Sequence, residues 1–102
     1  MPTTVVRYQT KTDRADENHS LIAAVFEELR IHRPEGLQYT SVRLADGSFI
    51  HIVNVDEGSD DTGLTALGAF GRFAEGVSDR AVAAPDVQSA VLVGSYGHER
   101  TR

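Results

Sequence analysis

The middle of the chain contains a pair of β-forming runs separated by a turn dipeptide, which limits the possible folds strongly. Residues 37–44 and 49–55 are rich in Val, Ile, Thr, Tyr and Phe, and the segment between them contains Asp46-Gly47. Asp-Gly favours a tight hairpin, because both residues tolerate the positive φ that a two-residue turn requires. The pattern therefore predicts an antiparallel hairpin at the centre of the chain.

A two-residue turn also fixes which side chains share a face of this hairpin. It places Leu44 opposite Phe49 and puts His51 on their face, while the other face holds Tyr39, Arg43 and Asn54. Both faces then carry large apolar groups, whereas a sheet with one wet face alternates apolar and polar residues. Because exposed apolar patches favour association, we expect a second copy of the sheet to cover one face. The result would be a homodimer through the sheet faces, closed into a barrel.

The rest of the chain predicts two more strands and two helical regions. Residues 4–11 and 89–96 have strand composition, and residues 15–32 carry an apolar stripe at helical spacing. Residues 64–82 form a second helical region, which three glycines weaken. The order βαββαβ predicts a ferredoxin-like α+β domain over residues 1–102, with a four-stranded antiparallel sheet and two helices on one face.

Composition excludes several classes of function. Ten basic and fifteen acidic residues give a net charge of −5 without a basic cluster, which disfavours nucleic-acid binding. The chain has no cysteine, so disulfides and thiolate metal sites are excluded, and its four histidines lack metal-ligand spacing. No segment has the ~20 apolar residues of a membrane span. We expect a cytoplasmic protein with no metal, no cofactor and no membrane partner.

Five stretches carry a resemblance to a known group of proteins: residues 6–11, 17–29, 36–39, 49–52, and 64–67 followed by Phe70. They resemble the dimeric α+β barrel superfamily, and most of all its small bacterial members similar to antibiotic-biosynthesis monooxygenases. The resemblance implies a homodimer and, at most, a cofactor-free monooxygenase-like or isomerase-like activity on a small aromatic or polyketide-like ligand. The pattern of the haem-degrading members needs a Trp, which this chain lacks. No catalytic residue is carried over.

The residues themselves suggest His51 as a candidate catalytic group. It lies within an apolar strand run, where a histidine in a closed cavity has the chemistry of a general base near neutral pH. The alternative is a core histidine with ordinary hydrogen-bond partners. Tyr39, Arg43 and Asn54 are candidates for binding an anionic or phenolic ligand, with a dimer-interface ion pair or a solvated hairpin rim as the alternative.

Three further candidates lie on the first strand and in the second helical region. Arg7 and Tyr8 are neighbours on a central strand, so one of them points towards the barrel and the other away from it. Phe70 has the spacing to cover a pocket beneath its helix, although aromatic residues at such spacing more often fill the core. Two functions stay open: an enzyme or binder of a small aromatic ligand, and a non-catalytic dimeric structural or ligand-sensing module.

Overall fold

A computed structural model describes residues 3–56, 64 and 67–97 of the chain. Its elements follow one another as β1 (Thr3–Gln9), a 3-10 helix (Thr12–Arg14), α1 (Ala15–His32), β2 (Leu37–Arg43), β3 (Ser48–Val55), α2 (Gly68–Glu75), α3 (Val77–Arg80) and β4 (Asp86–Ala90). The strands form one antiparallel sheet in the order β2-β3-β1-β4, so β1 is central. This confirms the ferredoxin-like α+β fold.

The helices cover one face of the sheet and enclose the core with it. Tyr8 and Phe49 from the sheet pack with Ile22 and Val25 of α1 and with Phe73 of α2. Helix α1 has the bounds that its apolar stripe predicted, and it ends where Arg33 adopts a left-handed φ of 50° before Pro34. No helix of the described ranges is long and apolar enough to span a membrane.

The register of the central hairpin differs from the predicted one by a single residue. Arg43, not Leu44, lies opposite Phe49, because the loop has three residues and Gly47 takes a φ of 89°. The Leu44 amide donates to the Ser48 carbonyl across this loop at 2.8 Å. A type I turn followed by a left-handed glycine closes such a loop with a bulge, which the Asp-Gly pair fits as well as it fits a two-residue turn.

This shift moves every side chain of β2 to the opposite face relative to β3. The prediction that His51 and Tyr39 lie on opposite faces was therefore wrong. His51, Tyr39 and Arg43 share the face that the helices cover, and Asn54 lies on the other face beside Gln38. The three proposed ligand contacts Tyr39, Arg43 and Asn54 thus do not form one cluster.

Two predicted elements have different bounds in the structure. The second helical region contains α2 and α3, which are separated at Gly76, while residues 65 and 66 lie outside the described part of the chain. The last strand is Asp86–Ala90 and not residues 89–96. Its ladder with β1 runs from Asp86 opposite Arg7 to Ala90 opposite Thr3. Residues 91–97 lie beyond the described ladder.

The sheet face away from the helices mixes apolar and polar side chains. We call it the open face, and its larger apolar members are Val5, Val42, Ile50 and Ile52. Val42 is 46% exposed and Ile52 is 38% exposed. Beyond β4, Val91 and Val93 are 85% and 98% exposed. A single chain therefore leaves apolar surface in water at the open face and along its last described segment.

Candidate functional site

A cavity of about 490 Å³ lies between the helix-covered face of the sheet and α2. Its wall is mostly apolar, and the lining residues are Thr4, Val6, Tyr8, Tyr39, His51, Val53, Val55, Leu64, Phe70, Phe73, Ala74, Val77 and Pro85. Pockets of roughly 300–1,000 Å³ with apolar walls and few polar groups are typical of small-molecule sites. The cavity is formed within one chain, not between the sheets of two chains.

His51 forms the polar centre of the cavity wall. The Tyr8 hydroxyl lies 2.8 Å from its Nε2 atom, and the Tyr39 hydroxyl lies 2.8 Å from its Nδ1 atom. The ring planes of both tyrosines lie within 13° of the imidazole plane. Strands β1 and β2 flank β3, and each tyrosine lies one diagonal step from His51 across the sheet, a separation that long side chains span.

The hydrogen bonds continue from Tyr8 into the core. Asn18 Nδ2 donates to the Tyr8 hydroxyl at 2.9 Å, and Arg80 Nε donates to Asn18 Oδ1 at 2.8 Å. Asn18 is fully buried on α1 and Arg80 is 2% exposed at the end of α3. The guanidinium of Arg80 also donates to the Phe73 carbonyl and lies 5.3 Å from the centre of its ring. We call Arg80, Asn18, Tyr8, His51 and Tyr39 the polar chain.

Burial controls the charge states in the polar chain. It lowers the pKa of His51 to about 4, so the imidazole is neutral at pH 7. Burial raises the pKa of Tyr39 well above its ordinary value. It also raises the pKa of Tyr8, against the hydrogen bond from Asn18 and the positive charge of Arg80, which lower it. At neutral pH the centre of the site therefore consists of neutral groups beside one buried cation.

Helix α2 closes the cavity opposite the sheet. A carboxylate oxygen of Glu28 on α1 accepts from the Ala69 amide at 3.1 Å, which caps the first turn of α2 and fixes its start against α1. Phe73 then lies with its ring centre 5.3 Å from that of His51 and 6.1 Å from that of Phe70. The two phenylalanines form an apolar cover above the imidazole.

Known structures share this arrangement of sheet and helices. No protein-family model matches the chain, and no curated protein matches it. Among solved structures, a protein from Nitrosomonas europaea, provisionally named an antibiotic biosynthesis monooxygenase, aligns with a TM-score of 0.76 at 15% identity, over 92% of this chain and 100% of its own. The chain has the antibiotic biosynthesis monooxygenase fold.

Two further structures with this fold support the assignment. One is named an antibiotic biosynthesis monooxygenase and aligns with a TM-score of 0.73 at 18% identity, over 92% of this chain and 100% of its own. The other is SnoaB, named as a cofactor-independent oxygenase from Streptomyces nogalater, with a TM-score of 0.65 at 18% identity, over 93% of this chain and 95% of its own. The resemblance predicted from the sequence is confirmed at the level of the fold.

On this monooxygenase-type fold, four of the seven candidate residues from the sequence line the cavity. They are His51, Tyr39, Tyr8 and Phe70. Tyr8 is the member of its pair that points to the helices, while Arg7 lies exposed on the open face. His51 differs from the general base expected near neutral pH, because its pKa is about 4 and both its ring nitrogens are hydrogen-bonded. A catalytic role for it stays a prediction.

Arg43 and Asn54 lie away from the cavity. Arg43 pairs with Asp16 at 3.0 Å and with His19 at 3.2 Å, beside a second groove between α1 and β2. Arg43 is therefore held in an exposed ion pair within the chain. Asn54 accepts from Thr3 at 3.0 Å on the open face and donates to Gln38 at 3.0 Å.

Sequence reasoning missed Asn18 and Arg80. Asn18 lies at helical spacing with the buried residues Ile22 and Val25, so a polar residue on the apolar stripe of α1 was the available signal. Arg80 gave no signal, because its burial depends on the break between α2 and α3 at Gly76. Within the part of the chain that the structure describes, no group of three or more histidine and carboxylate side chains is placed to hold a metal ion.

Proposed function

We propose that the cavity binds a small aromatic or polyketide-like molecule, and that the protein is a cofactor-independent monooxygenase-like enzyme. The observation that carries the proposal is the combination of an apolar cavity of about 490 Å³ with one polar patch on its wall. The polar patch consists of His51 and the two tyrosine hydroxyls. A flat apolar molecule with an oxygen substituent matches such a wall.

The fold agrees with this proposal. Several solved structures with the same fold carry the monooxygenase name, and SnoaB is named as a cofactor-independent oxygenase. Since fold alone does not determine chemistry, the shape and lining of the cavity carry the proposal. Hydrogen bonds join Tyr8, His51 and Tyr39, so we expect a bound aromatic molecule to take one preferred orientation.

We propose further that the protein is a homodimer through its open faces. Val42 and Ile52 are exposed there in a single chain, and the segment after β4 adds Val91 and Val93. Burying a Val or Ile side chain contributes about 1.5–3 kcal/mol relative to exposure. In this dimer the cavities remain inside the individual chains, since they lie on the other side of each sheet.

Binding is tested with 9-fluorenone, a flat tricyclic ketone, by titration calorimetry. Ala74 is exposed on α2 and lines the cavity, so Ala74→Phe is expected to narrow the cavity and to weaken binding at least tenfold. Ala23→Phe is the matched control, because Ala23 is also an exposed helical alanine but lines the groove between α1 and β2. Binding that is equal in both variants, or absent from the unmodified chain, would contradict the proposed site.

Turnover is tested separately with anthrone and dissolved oxygen. Monooxygenation converts the ring CH₂ of anthrone to C=O, with the second oxygen atom and the two hydrogens leaving as water, so that no external reductant is needed. We expect oxygen uptake above the rate without protein, and its loss in Ala74→Phe. Binding without any such uptake would favour the non-catalytic ligand-sensing module, because the site would then be occupied but inert.

A further inference from the structure

The hydrogen bonds of the polar chain all run from donor to acceptor in one direction, and Arg80 determines that direction. An arginine side chain has donors only. Since Arg80 Nε donates to Asn18 Oδ1 at 2.8 Å, the amide oxygen of Asn18 faces Arg80 and its NH₂ group faces Tyr8. Asn18 Nδ2 then donates to the Tyr8 hydroxyl at 2.9 Å. The orientation of the Asn18 amide therefore follows from its partner.

The position of the Tyr8 hydroxyl proton also follows from the donors and acceptors around it. The hydroxyl oxygen of Tyr8 accepts from Asn18, so its own proton is free to donate, and His51 Nε2 lies 2.8 Å away. Among the described residues no other acceptor hydrogen-bonds to this hydroxyl. If Nε2 carried a proton instead, the proton of Tyr8, which is 5% exposed, would lack an acceptor. Buried donors without acceptors are rare and unfavourable.

The direction continues through His51 to Tyr39. A neutral imidazole has one donor and one acceptor nitrogen. Because Nε2 accepts from Tyr8, Nδ1 carries the proton and donates to the Tyr39 oxygen, 2.8 Å away. The O–H proton of Tyr39, at the end of the polar chain, then has no acceptor within the polar chain. Tyr39 is half-buried and lines the cavity, where a ligand is within reach of this proton.

We propose that Arg80 and Asn18 are positioning residues that hold His51 as the Nδ1–H tautomer, and that the Tyr39 O–H is thereby the donor with which the cavity recognises an acceptor oxygen. The ligand oxygen is that of a ketone or a phenolate. This inference deepens the proposed function and depends on it for the ligand. Within the described residues no carboxylate lies within 4.0 Å of Arg80. The positive charge of Arg80 lies at the donor end of the polar chain and polarises its hydrogen bonds, which strengthens the Tyr39 O–H as a donor to a negatively charged ligand oxygen.

The tautomer is measured in the ligand-free protein by long-range ¹H–¹⁵N correlation spectra of the histidine rings. His51→Gln assigns the His51 signals among those of the four histidines. We expect a protonated Nδ1 and an unprotonated Nε2 at pH 7. A protonated Nε2 would overturn the proposed direction, whether or not any ligand binds.

Asn18→Asp is the decisive variant. Its carboxylate pairs with Arg80 and accepts the Tyr8 proton, whereas the Asn18 amide donates to Tyr8. Tyr8 must then accept from His51 Nε2–H, so the His51 tautomer is expected to switch. Asn54→Asp is the control, since Asn54 is a buried asparagine on the open face, outside the polar chain, and it should leave the tautomer unchanged. An unswitched tautomer in a folded Asn18→Asp variant would overturn the positioning role.

Three flat tricyclic probes of nearly equal shape test the Tyr39 donor. 9-Fluorenone has an acceptor oxygen, fluorene has no polar group, and carbazole has an N–H donor. We expect 9-fluorenone to bind about 3- to 10-fold more tightly than fluorene, which is the range of one neutral hydrogen bond. Tyr39→Phe and Asn18→Asp should remove this preference. Tyr96→Phe is the control, because Tyr96 is 97% exposed and does not line the cavity.

The outcomes separate this inference from the proposed function. If carbazole binds more tightly than 9-fluorenone, Tyr39 acts as an acceptor and the inferred direction is wrong. If none of the probes binds while the tautomer is Nδ1–H and switches in Asn18→Asp, the proposed ligand site fails. The positioning role of Arg80 and Asn18 then stands alone.

Discussion

At the scale of single residues, the neutral state of His51 is the main electrostatic property of the site. Both ring nitrogens are hydrogen-bonded to tyrosine hydroxyls, and the residue is 4% exposed. A protonated imidazole has two donors, and a Tyr8 hydroxyl that accepted from it as well as from Asn18 would leave its own proton without an acceptor among the described residues. The pocket therefore favours the uncharged ring, and acidification must work against the folded state.

We expect the free energy of unfolding to decrease as the pH is lowered, because of His51. The pKa of His51 is about 4 in the folded chain and about 6.5 when unfolded, so between these values the unfolded state binds more protons. From pH 7.5 to pH 5 this group alone should lower the free energy of unfolding by about 2 kcal/mol. Urea unfolding at equal protein concentration measures this loss. His51→Gln removes the group, so an equal loss in that variant would contradict the account.

The residue scale also shows what the sequence left open. His51 and Tyr39 were identified as candidates from their places in apolar strand runs, but they were assigned to opposite faces. The error comes from the hairpin loop, where Asp46-Gly47 fits both a two-residue turn and a three-residue turn with a bulge. Local residue preferences do not separate the two, whereas the observed register lets Tyr39 stack on Phe26 of α1, with ring centres 5.0 Å apart.

At the scale of elements, the break between α2 and α3 positions the start of the polar chain. A Cβ atom at Gly76 would lie 2.7 Å from a guanidinium nitrogen of Arg80. Arg80 cannot easily yield, since it is buried and bonded to Asn18 and Phe73. The absence of a side chain at Gly76 therefore gives Arg80 the space in which it reaches Asn18.

Two glycine substitutions test this role of the break. Gly76→Ala should lower the free energy of unfolding by about 1–3 kcal/mol through overpacking against Arg80. Gly71→Ala is the matched control within α2, because nothing lies within 4 Å of its added Cβ atom. It should raise stability by about 0.5–1 kcal/mol through helix propensity. Thermal or urea unfolding compares them, and stabilisation by both substitutions would show that Arg80 is not held in place.

Elements differed in how well the sequence predicted them. Helix α1 was predicted with its observed bounds, because a long apolar stripe and the Arg33-Pro34 stop act locally. The last strand was predicted too late in the chain, since the apolar run after Ala90 outweighed Asp86 and Gln88. Pairing with β1 overrides this local preference, as Asp86 lies opposite Arg7 and Gln88 opposite Val5.

At the scale of the whole molecule, the exposed apolar surface predicts self-association. Ile52→Lys places a charge in the centre of the open face, and burying it without a partner is unfavourable. Light scattering should give twice the chain mass for the unmodified protein and the single-chain mass for Ile52→Lys. Ala23→Lys, at an exposed site on α1, should remain dimeric. An unmodified protein that stays at the single-chain mass at high concentration would refute the dimer.

A crystal structure of the complex with 9-fluorenone shows whether the ligand cavity lies within each chain. We expect the ligand between the sheet and α2, in contact with Phe73, with its ketone oxygen within hydrogen-bond distance of the Tyr39 hydroxyl. A ligand found only between the open faces of two chains, or a cavity filled by a rearranged Phe70 or Phe73, would contradict it.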